Sequence, residues 1–199
     1  MILLVGAGLC FIAVRSLYPF LAVTDPVSGG VLIVEGWLPE YAFGKVIAEF
    51  NRNKYDKLYV IGGPMERGAV STGTLTFADR GAAIARSRGL ASNLVQAIPA
   101  PSVERDRTYA SARALKIWLV ERGIVPSNYH VMTLGPHARR SRLLFEAALG
   151  DGAIVGVTAI DDSDYDPKYW WNTSAGFRTV IGEAIAYGYV WMLFRQPDR

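Results

Sequence analysis

Five short apolar runs, separated by segments with helical periodicity, constrain the fold of this chain more than any other feature. Each run is rich in β-branched and aromatic residues and shows no strict alternation of apolar with polar positions. That pattern is typical of strands buried on both faces of a parallel sheet. The runs are VLIVEGW (31–37), KLYVIGG (57–63), NLVQAIP (93–99), YHVMTL (129–134) and AIVGVTAI (153–160).

Strands that alternate with helices in this way predict a Rossmann-like three-layer α/β sandwich with a mostly parallel five-stranded sheet. The chain has 199 residues, enough for one packed domain. We assign this domain to residues 31–199 and a linker, TDPVSGG, to residues 24–30. Thr74 is the expected cap of the second helix. The predicted helices cover residues 40–53, 74–88, 107–122, 137–149 and 174–194.

The first 23 residues are apolar except for Arg15 and Ser16. As a helix this segment would be about 35 Å long, enough to cross the hydrocarbon core of a bilayer. We therefore predict a membrane anchor over residues 1–23, in contact with membrane lipid. The alternative is an amphipathic or buried N-terminal helix.

The charge balance is mildly basic, with a net charge of +3 and a pI near 9.0. This balance favours anionic ligands or membrane surfaces. The chain contains no block of lysines and arginines and no aromatic ribonucleoprotein motif, so we expect no nucleic-acid partner.

Chemically active residues follow nearly every predicted strand. Because the carboxyl ends of parallel strands meet at one edge of the sheet, where ligands bind, we expect these residues to share one site. The acid–base candidates are His137 and Glu35. The ligand-binding candidates are Gly62, Gly63, Arg105, Asp106, Arg107, Thr108, Arg139 and Arg140.

Three arginines, Arg139, Arg140 and Arg142, fall in the first turns of the helix after the fourth strand. Positive charge is unfavourable at that end of a helix, so a negative partner is expected. The partner is either an anionic ligand such as a phosphate or the acidic loop 161–166, which carries Asp161, Asp162, Asp164 and Asp166. The guanidinium fork suits both, and we favour the ligand.

Each acid–base candidate also has a structural alternative. His137 is either a hydrogen-bond donor or general acid, or a histidine bonded to nearby backbone. Glu35 ends a buried strand, so it needs a partner such as Arg107 or Arg140, or it is an acid–base group with a raised pKa. Asp106 or Thr108 could cap the third helix instead of binding a ligand.

The motifs for metals and cofactors are incomplete, and we assign no metal and no particular cofactor. DSDYDP (162–167) begins like a calcium loop, but Pro167 stands where the loop needs glycine. A hard-metal site in this acidic loop is an alternative reading. The aromatic segment Tyr169–Trp171 is expected to be a packing lid, with ligand stacking as the alternative.

Several of these segments together resemble the YdcF-like family, the SanA/ElyC group defined by a domain of unknown function. The similar segments are IGG (61–63), RDRTYASA (105–112) and the helix start GPHARRSR (135–142). Thr108, Tyr109, Ala112, His137 and Arg140 match the family motifs. Arg107 and Ala110 depart from them, as does VEGW, where the family often has Leu-Gly-Gly.

The resemblance implies a bacterial inner-membrane protein with a single N-terminal span and an extracytoplasmic domain, in cell-wall, peptidoglycan or surface-polysaccharide metabolism. It supplies no reaction. One hypothesis is therefore an enzyme that acts on a phosphate-bearing substrate, either a small molecule or a polyprenyl-linked intermediate. The other is a non-catalytic sensor or scaffold that binds an anionic ligand. In a third hypothesis the arginines only neutralise the acidic loop.

Overall fold

The computed structural model describes residues 2–65 and 76–196, with the backbone alone at residues 2–5, 7, 9 and 10. These residues form eleven helices and strands. Short 3-10 turns lie at Ser92–Leu94, Gly135–His137 and Pro167–Asn172. The strands are β1 (Val31–Glu35), β2 (Lys57–Gly62), β3 (Val95–Pro99), β4 (Tyr129–Leu134) and β5 (Val155–Ile160). The helices are α1 (Ile2–Leu21), α2 (Glu40–Arg52), α3 (Phe77–Ser87), α4 (Arg107–Val120), α5 (Ala138–Leu149) and α6 (Ser174–Met192).

The five strands form one sheet in the order β3-β2-β1-β4-β5, and every neighbouring pair is parallel. The predicted Rossmann-like α/β architecture is confirmed, and the sheet is wholly parallel. Glu35 at the end of β1 pairs in register with Ile61 of β2. The carboxyl ends of the strands therefore lie along one edge, as the alternating pattern predicted.

Two apolar cores cover the two faces of the sheet. Along β1, Val31 and Ile33 face one core, whereas Leu32 and Val34 face the other, as the two-residue period of a strand requires. The first core is completed by α4 and α5, through Leu115, Leu119, Leu144 and Phe145. The second is completed by α2 and α3, through Phe43, Val46, Ala82 and Ala85.

The end of α1 packs against α6 in a third, smaller cluster. Leu21 is fully buried there and Tyr18 nearly so, beside Tyr165, Trp170 and Val180. Of the segment Tyr169–Trp171, expected to be a packing lid on the sheet edge, Trp170 is buried in this cluster, whereas Tyr169 is 47% exposed. No helix formed by the described residues is long and apolar enough to cross a bilayer, so the predicted transmembrane anchor over residues 1–23 is not found.

The chain after β1 passes very close to the start of α3. A Cβ atom on Gly36 would lie 2.0 Å from the carbonyl oxygen of Phe77, so this position excludes a side chain. Thr74, the expected cap of this helix, lies outside the described residues. The observed cap is Thr76, whose hydroxyl accepts from the Asp79 amide in a capping box.

Candidate functional site

A cleft of about 670 Å³ opens at the carboxyl edge of the sheet, lined by the ends of β1 and β2 and by the turn after β4. It lies where the strand order reverses, because β1 has β2 on one side and β4 on the other. This switch point is where open α/β sheets usually bind ligands. The loop 101–108 forms one wall, and α6 forms another through Glu183, Ala186, Tyr189 and Val190.

Glu35 lies on the floor of the cleft and is only 3% exposed. Its Oε2 atom accepts hydrogen bonds from the hydroxyls of Thr133 and Ser141 and lies 3.4 Å from Nε2 of His137. Burial opposes ionisation, but the charge of His137 and the hydrogen bonds from His137 and Thr133 outweigh it and lower the pKa of Glu35. The direction is opposite to the raised pKa of the acid–base alternative. The contacting partner is His137, and the charge of Arg140 adds a weaker attraction.

His137 is buried between two carboxylates. Nε2 faces Glu35, with the hydroxyl of Thr108 3.5 Å away, and Nδ1 lies 2.9 Å from Oε1 of Glu183. Burial disfavours the charged ring, but the attraction of Glu35 and the hydrogen bonds to Glu183 and Glu35 prevail and raise the pKa of His137 to about 9. The ring is therefore an imidazolium at neutral pH, and its partners are side chains instead of nearby backbone.

Arg140 completes this cluster through a two-bond contact with Glu183. Its Nε and Nη2 atoms donate to the two carboxylate oxygens at 2.8 and 3.0 Å. Nη2 also lies 2.8 Å from Nδ1 of His137. Two charged donors at this distance repel each other, so this contact opposes protonation of Nδ1, whereas the carboxylates of Glu35 and Glu183 at the two ring nitrogens favour the charged ring.

The floor cluster is electrically balanced. Two carboxylates, Glu35 and Glu183, face two cations, His137 and Arg140. Arg140 lines the cleft but is held by Glu183, so its charge is compensated before any ligand arrives. The floor consequently offers a buried proton donor and hydrogen-bonding groups, without an excess of positive charge.

The rim of the cleft carries the sequence Glu104-Arg105-Asp106-Arg107, ahead of Thr108. Arg105 and Arg107 are exposed, and neither forms an ion pair with another described residue. Asp106 is the N-cap residue of α4 in a left-handed conformation (φ 55°), but its side chain makes no capping hydrogen bond. The capping alternative for Asp106 is thus not what the structure shows.

Gly62 and Gly63 line the cleft at the end of β2, as predicted. The predicted residues that share the cleft are Glu35, Gly62, Gly63, Arg105, Asp106, Arg107, Thr108, His137 and Arg140. Arg139 is the exception. Its guanidinium stacks on the ring of Phe20, 4.1 Å from the centroid, and Nε donates to the Phe20 carbonyl oxygen.

The acidic loop 161–166, one of the two predicted partners, does not compensate the arginines at the start of α5. Arg140 pairs with Glu183, and Arg142 pairs with Asp25 at 2.7 Å and Glu146 at 2.9 Å. None of these acids belongs to the acidic loop 161–166. That loop instead bonds within itself and to Tyr41, whose hydroxyl donates to Asp162. In the described parts of the chain, no group of three or more His, Cys, Asp or Glu side chains is arranged to hold a metal ion.

Two residues of the site have contacts that the sequence did not predict: Glu183, expected to be a surface partner of Arg178 or a support for the site, and Trp37, expected at this edge of the sheet. Glu183 is the single acid in a helix that is otherwise largely apolar, SAGFRTVIGEAIAYGYVWM. A carboxylate in such a helix needs a partner, and this was the available signal. Trp37 covers His137 edge-on, with ring centroids 5.3 Å apart, but nothing in VEGW distinguished it from a core tryptophan.

The arrangement combines a proton donor, an ionised carboxylate and hydroxyl groups on the floor with exposed guanidinium groups at the rim. Such a set can bind an anion at the rim and protonate or polarise the part of the ligand that reaches the floor.

Comparisons of this chain with protein-family models, with curated proteins and with solved structures found no match.

Proposed function

We propose that this chain is a membrane-associated bacterial envelope protein that binds an anionic, phosphate-bearing small molecule or lipid-linked intermediate in the cleft between β1 and β4. The observation that carries the proposal is the pair of rim arginines, Arg105 and Arg107, beside the buried imidazolium of His137. Guanidinium groups match phosphate oxygens in geometry and charge.

The cleft as a whole is balanced in charge, because Glu104 and Asp106 lie beside the rim arginines. A ligand with several uncompensated charges would therefore fit poorly. The balance favours one phosphate at the rim and a neutral, hydroxyl-rich part on the floor, where carboxylates accept hydrogen bonds. A phosphorylated sugar has this distribution of groups.

In the catalytic form of the proposal, His137 is the general acid. With its pKa near 9 it carries a proton at neutral pH, which it can donate to a leaving oxygen from Nε2 or Nδ1. Glu35 holds the ring and stabilises its charge. A general acid typically raises the rate of a reaction roughly 10²–10⁴-fold.

A non-catalytic sensor is the second candidate, and the balanced floor cluster favours it. Both ring nitrogens of His137 already face carboxylates, so proton donation requires one of these contacts to break. A binding protein needs no such step. The envelope location and the role in cell-wall or surface-polysaccharide metabolism depend on the family resemblance, and residues 1–23 are the segment we propose to contact lipid.

Binding is tested by calorimetric titration of the full-length protein with inorganic phosphate and with glucose 1-phosphate. We expect the double variant R105A/R107A to lose at least tenfold in affinity. R52A is the matched control, since Arg52 ends α2 and does not line the cleft. Equal affinity in both variants would refute phosphate binding at the rim.

Catalysis is tested with glucose 1-phosphate as the substrate, because water that attacks the phosphorus displaces a sugar oxygen that needs the proton of His137, whereas p-nitrophenol leaves without one. In an enzyme, H137N should lower turnover at least 100-fold while phosphate affinity changes only a few fold. If the wild-type protein binds phosphate but does not cleave glucose 1-phosphate, the sensor is the correct form of the proposal.

A further inference from the structure

An apolar groove of about 980 Å³ runs along α4 beside the cleft. It lies between this helix, the end of β3 and the loop that follows. Its apolar lining includes Ile98, Val103, Tyr109, Ile117 and Trp118. Apart from the residues it shares with the cleft, Arg113 and Glu121 are its charged lining residues.

The groove and the cleft meet at a common wall. Both are lined by Pro101, Val103, Glu104, Arg105 and Asp106. Arg105 therefore lies where the apolar groove meets the cleft. It has no ion pair with the described residues. A single ligand that occupies both cavities must have a polar part in the cleft and an apolar part in the groove, joined near Arg105.

The walls of the groove are held in place by packing. The Trp118 ring lies 5.4 Å from the ring of Tyr59 and carries the Arg122 guanidinium 4.1 Å from its centroid. Tyr109 packs on Phe194 with centroids 5.0 Å apart. Ile117 is nevertheless 48% exposed, so a preformed apolar wall remains open to solvent, as in small-molecule sites.

We propose that this groove holds the hydrocarbon chain of the same ligand whose phosphate binds Arg105 and Arg107, so that the ligand is an anionic amphiphile. The inference rests on the proposed function and specifies its ligand class. The order of groups along the lining favours this occupant: the exposed guanidinium of Arg105 lies where the two cavities meet, between Glu104 and Asp106, and the groove beyond it is largely apolar. A peptide in the groove is the competing occupant.

The test is calorimetric titration of the full-length protein with methyl, butyl, hexyl and octyl phosphate below their micelle-forming concentrations. Each methylene group buried should tighten binding about fourfold, because burial of a CH₂ group is worth about 0.8 kcal/mol. 1-Octanol, which carries neither a phosphate nor a sugar, measures binding of the chain alone. I117D should abolish the dependence on chain length. V125D is the matched control, since Val125 is 90% exposed and lines neither cavity.

The outcomes separate the two proposals. If methyl phosphate binds and longer chains bind no more tightly, the groove assignment is refuted while phosphate binding stands. A dependence on chain length that persists in I117D also refutes it, as does 1-octanol binding as tightly as octyl phosphate. If no alkyl phosphate binds, or if R105A/R107A binds methyl phosphate as well as wild type, the proposed function itself fails.

Discussion

The Glu35 carboxylate at the end of β1 lies 3.4 Å from Nε2 of His137 in the turn after β4, with both residues buried. The contact bridges the two strands between which the sheet order reverses. Because Glu35 and His137 come from different parts of the chain, Glu35 can stabilise the protonated ring only when the sheet has formed.

Removing the charge of Glu35 should lower the pKa of His137. Glu35 attracts the protonated ring, and E35Q keeps the shape of the side chain while removing this attraction. We expect the His137 titration to move from about 9 towards 6.5 and the free energy of unfolding to fall by about 1–3 kcal/mol at pH 7. Nitrogen-15 NMR of the imidazole measures the first effect, and an unchanged titration in E35Q would show that the contact does not form.

The pKa values of the two histidines should shift in opposite directions from the ordinary value of 6.5. Burial lowers the pKa of His130, which accepts a hydrogen bond from the Val27 amide, whereas the pKa of His137 is raised to about 9. Since the chain has only two histidines, the single variant H137N assigns both signals. Two titrations on the same side of 6.5 would contradict the geometry of the site.

Stability should fall on both sides of a plateau between about pH 4.5 and pH 6.5. The contribution of His137 is complete below pH 6.5 and is lost as the pH rises through about 9, because the folded state holds the proton more tightly. Glu183, whose pKa is lowered to about 2, contributes above pH 4.5 and loses its contribution as the pH falls towards 2. Urea midpoints across this range check the prediction. In H137N the loss of stability above pH 6.5 should become shallower. An equally steep loss in this variant would show that His137 is not its cause.

Gly36 should not tolerate a methyl group. The Cβ atom of G36A would meet the backbone of Phe77 at 2.0 Å, and the chain must shift to relieve this contact. We expect a loss of about 2–3 kcal/mol in the free energy of unfolding. G182A is the control, because Gly182 lies in α6 with no atom within 4 Å of the new methyl group, and it should gain up to about 1 kcal/mol. Similar urea midpoints for the two variants would disprove the close approach.

The strands and helices were predictable because their apolar periodicity is local. All five predicted strands form, with β4 at its predicted bounds of 129–134. The same reasoning placed Glu35 and His137 at one edge, since both follow strands. It could not tell that Arg139 turns to Phe20 or that Arg142 turns to Asp25, because these contacts depend on how α1 and the linker pack. Glu183 was expected to pair with Arg178 or to support the site, and its contacts with His137 and Arg140 were not predictable, since only the folded chain brings α6 over the cleft.

Removing a rim carboxylate should strengthen anion binding. Glu104 is exposed and lies beside Arg105 at the cleft, so E104Q removes a repulsive charge without a structural penalty. We expect inorganic phosphate to bind several fold more tightly, by an amount that shrinks as salt is added. D151N, which removes an exposed charge outside the cleft, should leave affinity unchanged. Calorimetry at two salt concentrations distinguishes the variants, and weaker binding by E104Q would overturn the assignment of the rim.

The central claim is that an anion docks at the two rim arginines, and a phosphate titration followed by NMR at the arginine Nε–Hε groups tests it most directly. We predict saturable shifts for Arg105 and Arg107, a smaller shift of the His137 ring signals, and none for Arg52. Linear shifts of equal size at Arg52, Arg105 and Arg107 would show that phosphate contacts these arginines without a site, which would contradict the account.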